Sequence, residues 1–297
     1  IDDEPDPLEA EPLEMLGGRF MVEERLGSGS TGLALLVVDD TDPSNENTVL
    51  KVAHDATTEP RLLAEYEVLA RLEHPRIIRA LDEPLRLKGR LALHLEDAGR
   101  PTLGSRIRQD GRLTLDQLER FGADLLEAAA YLDREGVLHR DIKPDNLGVR
   151  PDPSDRRPRL VLFDFSLTSE ALDHTKAGTP PYLDPFLGAA RRPRYDRAAE
   201  RFAIAVTLFE MATGTRPVWG SGDADPATIS DEVTVEPDLF EASVAPGMVA
   251  FFRKALARDA SARFGDLAEL AQAWSAVFTA TDIPTTVVPE TEPIGPI

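Results

Sequence analysis

The stretch His139-Arg140-Asp141-Ile142-Lys143-Pro144-Asp145-Asn146 constrains this chain more than any other. A carboxylate is followed two residues later by an ammonium and five residues later by an amide. The carboxylate can take a hydroxyl proton, the ammonium can steady a phosphate, and the amide oxygen can ligate a hard cation. A polar loop after a helix could match such a pattern by accident. The choice turns on whether the remaining parts of a phosphoryl-transfer site occur elsewhere, in order.

Upstream, Phe20–Leu26 reads as a strand, followed by Gly27-Ser28-Gly29-Ser30-Thr31-Gly32 and the apolar run 33–38. G-x-G-x-x-G is a weak signal, because dinucleotide-binding units use it between a strand and a helix. Here the second segment ends in the turn cluster Asp39–Asn45, so the pattern is strand, glycine turn, strand. Glycines in such a turn let backbone amides approach phosphates. A third strand, 48–53, carries Lys51 between apolar neighbours. An ammonium there needs an anion, since an unpaired buried charge is costly. The bland alternative is a lysine reaching solvent from an edge strand. The spacing of Leu62, Tyr66, Leu69 and Leu72 predicts a helix over 60–72, which offers Glu65 as the partner of Lys51, with Glu67 as its rival on another face.

Further on, 91–98 reads as a strand running into a connector, and 114–134 as a helix opened by a Thr114–Gln117 capping box. Residues 150–158 form a solvated insertion between two short strands, of which the second is 160–163. Residues 197–213 are apolar nearly all round, the mark of a buried helix. The acidic stretch 220–246 is expected to be loop with one short helix, and two helices follow near 247–258 and 265–278.

Composition narrows the classes. A net charge of −20 argues against a direct nucleic-acid footprint. No apolar run approaches the ~18 residues of a membrane span, and the five histidines show no metal-ligand spacing. The chain has no cysteine, hence no disulfide framework, which is compatible with a cytoplasmic location. It opens on acids without a signal pattern, as a piece of a longer, multidomain protein would. Residues 1–16 read as an acidic linker and 281–297 as a Pro-rich tail. Of 33 basic residues only five are lysines, so those kept at motif positions, Lys51 and Lys143, carry extra weight.

HRDIKPDN resembles the catalytic loop of eukaryotic-type serine/threonine protein kinases, H-R-D-x-x-x-x-N. Other phrases share the resemblance: Leu72-Glu73-His74-Pro75-Arg76-Ile77-Ile78, Asp164-Phe165-Ser166, and the activation-segment close Gly178–Phe186 (GTPPYLDPF). The resemblance implies a bilobal α+β fold over 17–280. An antiparallel β lobe with one helix would span about 17–96, and a mainly helical lobe about 99–280. It implies a transferase that uses ATP and Mg²⁺, with Mn²⁺ as a substitute, on serine or threonine of a protein substrate. Gly27–Gly32, Ala34 and Val49 would cover the nucleotide, Leu95 would guard the pocket, and the backbone of Glu96 to Ala98 would meet the adenine edge. Lys51, held by Glu65, would orient the phosphates; Asp141 would be the base, Lys143 would steady the γ-phosphate, and Asn146 and Asp164 would hold the metal. Arg140 would tie the loop to a phosphorylated Thr168, Ser169 or Thr175, while Thr179 with Lys143 is the serine/threonine-type combination.

Several positions depart from the family pattern. Ser166 replaces a glycine, which predicts a stiffer turn. Glu200 replaces an aspartate that steadies the catalytic loop. Phe186 replaces a glutamate whose partner would be Arg263, so either Asp184 takes over or Arg263 is more exposed. These departures, with LVLFDFSLT and AAERFAIAVTLFEMATG, resemble the kinase domains of bacterial phage-growth-limitation defence systems. The rival class is a pseudokinase, a nucleotide-binding or scaffolding module, which predicts erosion of the chemical residues; here the departures fall on structural positions.

Overall fold

The computed structural model describes residues 5–188 and 192–279. Two lobes meet at a cleft. The small lobe is a six-stranded antiparallel sheet in the order β1-β2-β3-β4-β6-β5. Its strands are β1 (Met15–Leu16), β2 (Phe20–Ser28), β3 (Gly32–Asp39), β4 (Asn47–Ala53), β5 (Leu85–Leu87) and β6 (Arg90–Glu96), with helix α1 (Glu59–Leu69) between β4 and β5. The helix stops at Leu69, short of the expected 72, and residues 70–72 continue as turns before Pro75.

Side-chain alternation sorts the sheet into two faces. Leu33, Leu35, Val37, Leu50 and Val52 face outward into one apolar cluster with Leu87 and Ala92. The intervening residues Ala34, Val49 and Lys51 face the cleft, with Ala34 opposite Lys51 and Val49 opposite Leu95 in the ladder.

That outer face is covered by residues 5–16, which corrects the linker reading for them; residues 1–4 and the expected tail 281–297 lie outside the described residues. Ala10 and Leu16 are fully buried in the outer cluster, with Leu8 packed beside them. Asp6 pairs with Arg90 at 2.8 Å, and Arg25 donates to the carbonyls of Leu8 and Ala10. Acidic, proline-containing composition hid three apolar contacts, and the turns at 7–9 and 12–13 interrupt any strand between them.

The large lobe contains α2 (Leu103–Asp110), α3 (Leu115–Arg134), the hairpin β7 (Leu147–Pro151) and β8 (Pro158–Leu162), α4 (Arg197–Thr213), the ladder β9 (Val218–Trp219) with β10 (Val233–Thr234), α5 (Ala245–Ala255) and α6 (Leu267–Thr279). Both halves of the Thr114–Gln117 capping box are made. α4 is buried nearly all round, as its composition predicts. One element goes unannounced and one expectation fails. The short helix α2 carries only two buried aliphatic side chains, Leu103 and Ile107, too few to announce it in the sequence. Residues 220–246 hold no complete α-helix; α5 begins at Ala245, and before it lie 3-10 turns and β10. No described helix is long and apolar enough to cross a membrane.

Candidate active site

The cleft between the lobes has a volume of about 800 Å³. The Gly27–Gly32 turn roofs it, the 96–101 connector lines one edge, and Asn146, Phe163 and Asp164 reach it from the large lobe. Its roof needs glycine for packing: a Cβ on Gly32 would lie 2.3 Å from the Val52 carbonyl, whereas one on Gly29 would meet nothing closer than 3.9 Å. The turn is held by His54, which sequence reasoning set aside only as non-metal. Its Nε2 lies 2.8 Å from the Gly29 carbonyl and 3.3 Å from Ser28 Oγ.

At the inner end Lys51 Nζ donates to Glu65 Oε2 at 2.6 Å and to Asp164 Oδ1 at 2.7 Å. Glu65 Oε1 accepts the Phe165 N–H at 3.1 Å. Glu65 is buried and Glu67 exposed, which separates the two candidates. Burial works against charge on all three groups. The two carboxylates overcome it for Lys51, which is held above its ordinary value. Burial would raise Asp164, but the Lys51 charge and hydrogen bonds from Lys51 and Ser166 bring it down to about 2. Glu65 is pushed up, by burial first and also by the Asp164 charge. One ammonium thus serves two carboxylates, and the cluster favours a further cation.

Positive φ falls on Asp164, at 64°, and not on Ser166. The replacement of glycine at 166 therefore costs no left-handed strain in this conformation. Its side chain is buried against the Asp164 carboxylate.

The catalytic-loop residues lie together. Asp141 Oδ2 accepts Lys143 Nζ at 2.7 Å and Asn146 Nδ2 at 3.0 Å. Asp141 Oδ1 accepts the Thr179 hydroxyl at 2.7 Å and its N–H at 3.0 Å. Asn146 Nδ2 also donates to the Asp141 carbonyl, which leaves Asn146 Oδ1 as the end for a cation. His139 donates from Nε2 to the Phe163 carbonyl at 3.1 Å and accepts the Asp141 N–H at Nδ1; these partners select the Nε2–H tautomer. Beneath them Glu200 accepts the N–H groups of His139 at 2.6 Å and Arg140 at 3.1 Å. It also accepts the hydroxyl of Tyr195 at 2.6 Å, a residue no sequence motif pointed to.

Arg140 does not await a phosphate in this conformation. Its terminal nitrogens donate to the carbonyls of Glu170, Ala171 and His174. Thr168 turns its hydroxyl to the Phe165 carbonyl at 2.8 Å, Ser169 is exposed and Thr175 half-buried.

The donor set suits a nucleotide and a hard divalent cation. Asn146 Oδ1 and the Asp164 carboxylate could supply oxygen ligands, and no cluster of three or more His, Cys, Asp or Glu forms a cation cage among the described residues. That is the pattern for an ion whose remaining ligands are phosphate oxygens and water. His94, the histidine on an apolar strand, is a satisfied core residue bound to Asp82 and Thr48.

Comparison with known proteins agrees with this geometry. The family model "Protein kinase domain" matches residues 20–275. "Probable kinase PglW" of Streptomyces coelicolor is 42% identical over 301 residues, covering 92% of this chain and 19% of that protein. "CBL-interacting serine/threonine-protein kinase 7" of Arabidopsis thaliana is 31% identical over 218 residues, 69% of this chain and 49% of that protein. "Serine/threonine-protein kinase PkaA" of Streptomyces coelicolor is 31% identical over 228 residues, 70% and 41% respectively. The chain therefore spans about a fifth of the first relative and less than half of the others. The match over most of its length, on a bilobal fold of the expected architecture, makes this chain a member of the protein kinase family, with ATP and a divalent metal as the cofactors that family uses.

Proposed function

We propose that the chain transfers the γ-phosphoryl group of ATP, with Mg²⁺ or Mn²⁺ as the metal, to serine and threonine hydroxyls of proteins. The observation that carries this reading is the Lys51 ammonium held between Glu65 and Asp164 at the inner end of the cleft. Asp141, Lys143 and Asn146 lie hydrogen-bonded to one another beside it. When bound, the metal neutralises phosphate charge that develops during transfer. Lys51 orients the α- and β-phosphates, and the Gly27–Gly32 amides cover them. Asp141 takes the acceptor hydroxyl's proton as the new P–O bond forms and the bond to ADP breaks; Lys143 steadies the transferring group. Asn146 and Asp164 supply the metal's protein ligands. Thr179 supports the hydroxyl specificity, because its own hydroxyl already lies between Lys143 and Asp141.

Thr168, Ser169 and Thr175, the hydroxyl residues that follow Asp164–Ser166 in the activation segment, are the proposed autophosphorylation sites. The phage-defence role rests on the sequence wording shared with that bacterial subgroup, and a multidomain parent on the 19% coverage of the first relative. A cytoplasmic setting is proposed with them, since both nucleotide and substrate would be met there.

The test is mass spectrometry of the protein after incubation with Mg-ATP. Phosphoserine or phosphothreonine should appear, and Asp141→Asn should reduce incorporation roughly 10²–10⁴-fold, the usual contribution of a general base. Incorporation by the variant at the wild-type rate would remove Asp141 from its role. A silent wild type would leave the rival, a nucleotide-binding scaffold.

A further inference from the structure

The activation-segment stretch Glu170–His174 touches both lobes. Arg61 sits one turn before Glu65 on α1, so the two project from the same face of that helix. Arg61 Nη2 lies 2.6 Å from Glu170 Oε1, and Glu170 Oε2 lies 3.1 Å from His174 Nδ1. The Glu170 side chain is only 13% exposed. The same five residues hold Arg140 of the catalytic loop, which donates to the carbonyls of Glu170, Ala171 and His174 and lies across the Tyr195 ring. Helix α1 is thus fastened twice to the segment that begins at Asp164. Glu65 holds it through Phe165 N–H, and Arg61 holds it through Glu170.

We infer that Glu170 is a positioning residue whose unmodified carboxylate, paired with Arg61, keeps α1 against the activation segment and so keeps the Lys51–Glu65 pair formed without phosphorylation. The inference rests on the kinase reading above. It makes phosphate on Thr168, Ser169 or Thr175 a product of activity and not its precondition. Three of the five N–H donors of Arg140 already meet carbonyls, which leaves a phosphate only the buried Nε and one Nη2 hydrogen unless it displaces them. Arg61 is 48% exposed, so the effect of the pair alone is modest, about two- to fivefold.

The test uses the full chain co-produced with a phosphatase and verified as unphosphorylated by intact mass. Two quantities are read: initial phosphoryl transfer from Mg-ATP to the serine and threonine hydroxyls of added casein, followed as ADP release and split into kcat and KM, and amide hydrogen exchange over 59–69. Wild type should release ADP without a lag and show α1 protected. Glu170→Gln and Arg61→Gln should each lower kcat and speed α1 exchange about two- to fivefold, with the double variant no worse than either single one. A wild-type lag that ends only when an activation-segment residue is phosphorylated would overturn the inference. So would additive single effects, or unchanged α1 exchange in Glu170→Gln. A wild type that releases no ADP would instead sink the kinase reading, and the exchange comparison would still decide this one.

Discussion

Asp184 accepts both terminal nitrogens of Arg263, at 2.7 and 3.2 Å, with both side chains buried. The pair settles the question raised by Phe186. The acid has moved two residues along the chain, and Phe186 packs edge-on to Trp219 with the Arg258 guanidinium 4.4 Å from its ring centre. Removing one member of a buried pair leaves an uncompensated charge, so Asp184→Ala should lower stability by about 3–5 kcal/mol. Phe186→Glu should not rescue it, because it loses the aromatic contacts. Thermal melts of the two single variants and the double variant decide this.

Lys51→Met should abolish the stabilisation that Mg-ATP gives the wild type. A ligand at ~100 times its Kd adds ~2.7 kcal/mol, an effect visible in a thermal shift. An equal shift in the variant would mean the phosphates are held elsewhere.

Glu200 offers two oxygens to three donors: His139 N–H, Arg140 N–H and the Tyr195 hydroxyl. A glutamine has one oxygen and would turn an amide against one of them. Glu200→Gln should therefore cost about 1–3 kcal/mol, the penalty of an unsatisfied buried donor. Because the misfit sits under the catalytic loop, kcat should fall with the KM for ATP unchanged. A raised KM with constant kcat would contradict this placement.

Residues 5–16 make a separate prediction about where the small lobe ends. Leu16 is fully buried while Leu13 is 78% exposed. Leu16→Ala should cost about 2–5 kcal/mol, whereas Leu13→Ser should change stability by no more than about 0.5 kcal/mol. Denaturant titration separates the two.

Asp39 should carry part of the acid sensitivity. Its carboxyl is held below the ordinary 3.8, chiefly by hydrogen bonds from Arg19, with Thr41 adding to them. A depressed folded pKa gives stability that is complete above the unfolded value and is lost as pH falls through the folded one. Wild type should lose stability as pH drops below about 4, and Asp39→Asn should show a shallower slope there. Equal slopes would count against the Arg19 contact.

Linear spacing marked the residues proposed to carry the chemistry, because the spacings follow from which strand face or loop turn presents each group. Lys51, Glu65, Asp141, Asn146 and Asp164 all lie at the cleft or touch one that does. What escaped was choice among partners. Asp184 and an exposed Arg263 were equal alternatives on paper; only the approach of 184 to 263 separates them. Arg140 was read as a phosphate receptor because carbonyl partners leave no trace in residue identity. Leu8, Ala10 and Leu16 stay hidden because turns at 7–9 and 12–13 leave no continuous apolar–polar alternation to detect.

The activation segment is fastened at two ends of contrasting character. At Arg263 and Asp184 the side chains are 2% and 0% exposed, and mobile ions cannot enter between them. At Arg61, 48% exposed, they can, and at 0.15 M ionic strength charges are screened over about 8 Å. Raising salt should therefore loosen the segment beside α1 while its far end stays fixed, so ionic strength distinguishes a tether made of buried charge from one made at the surface.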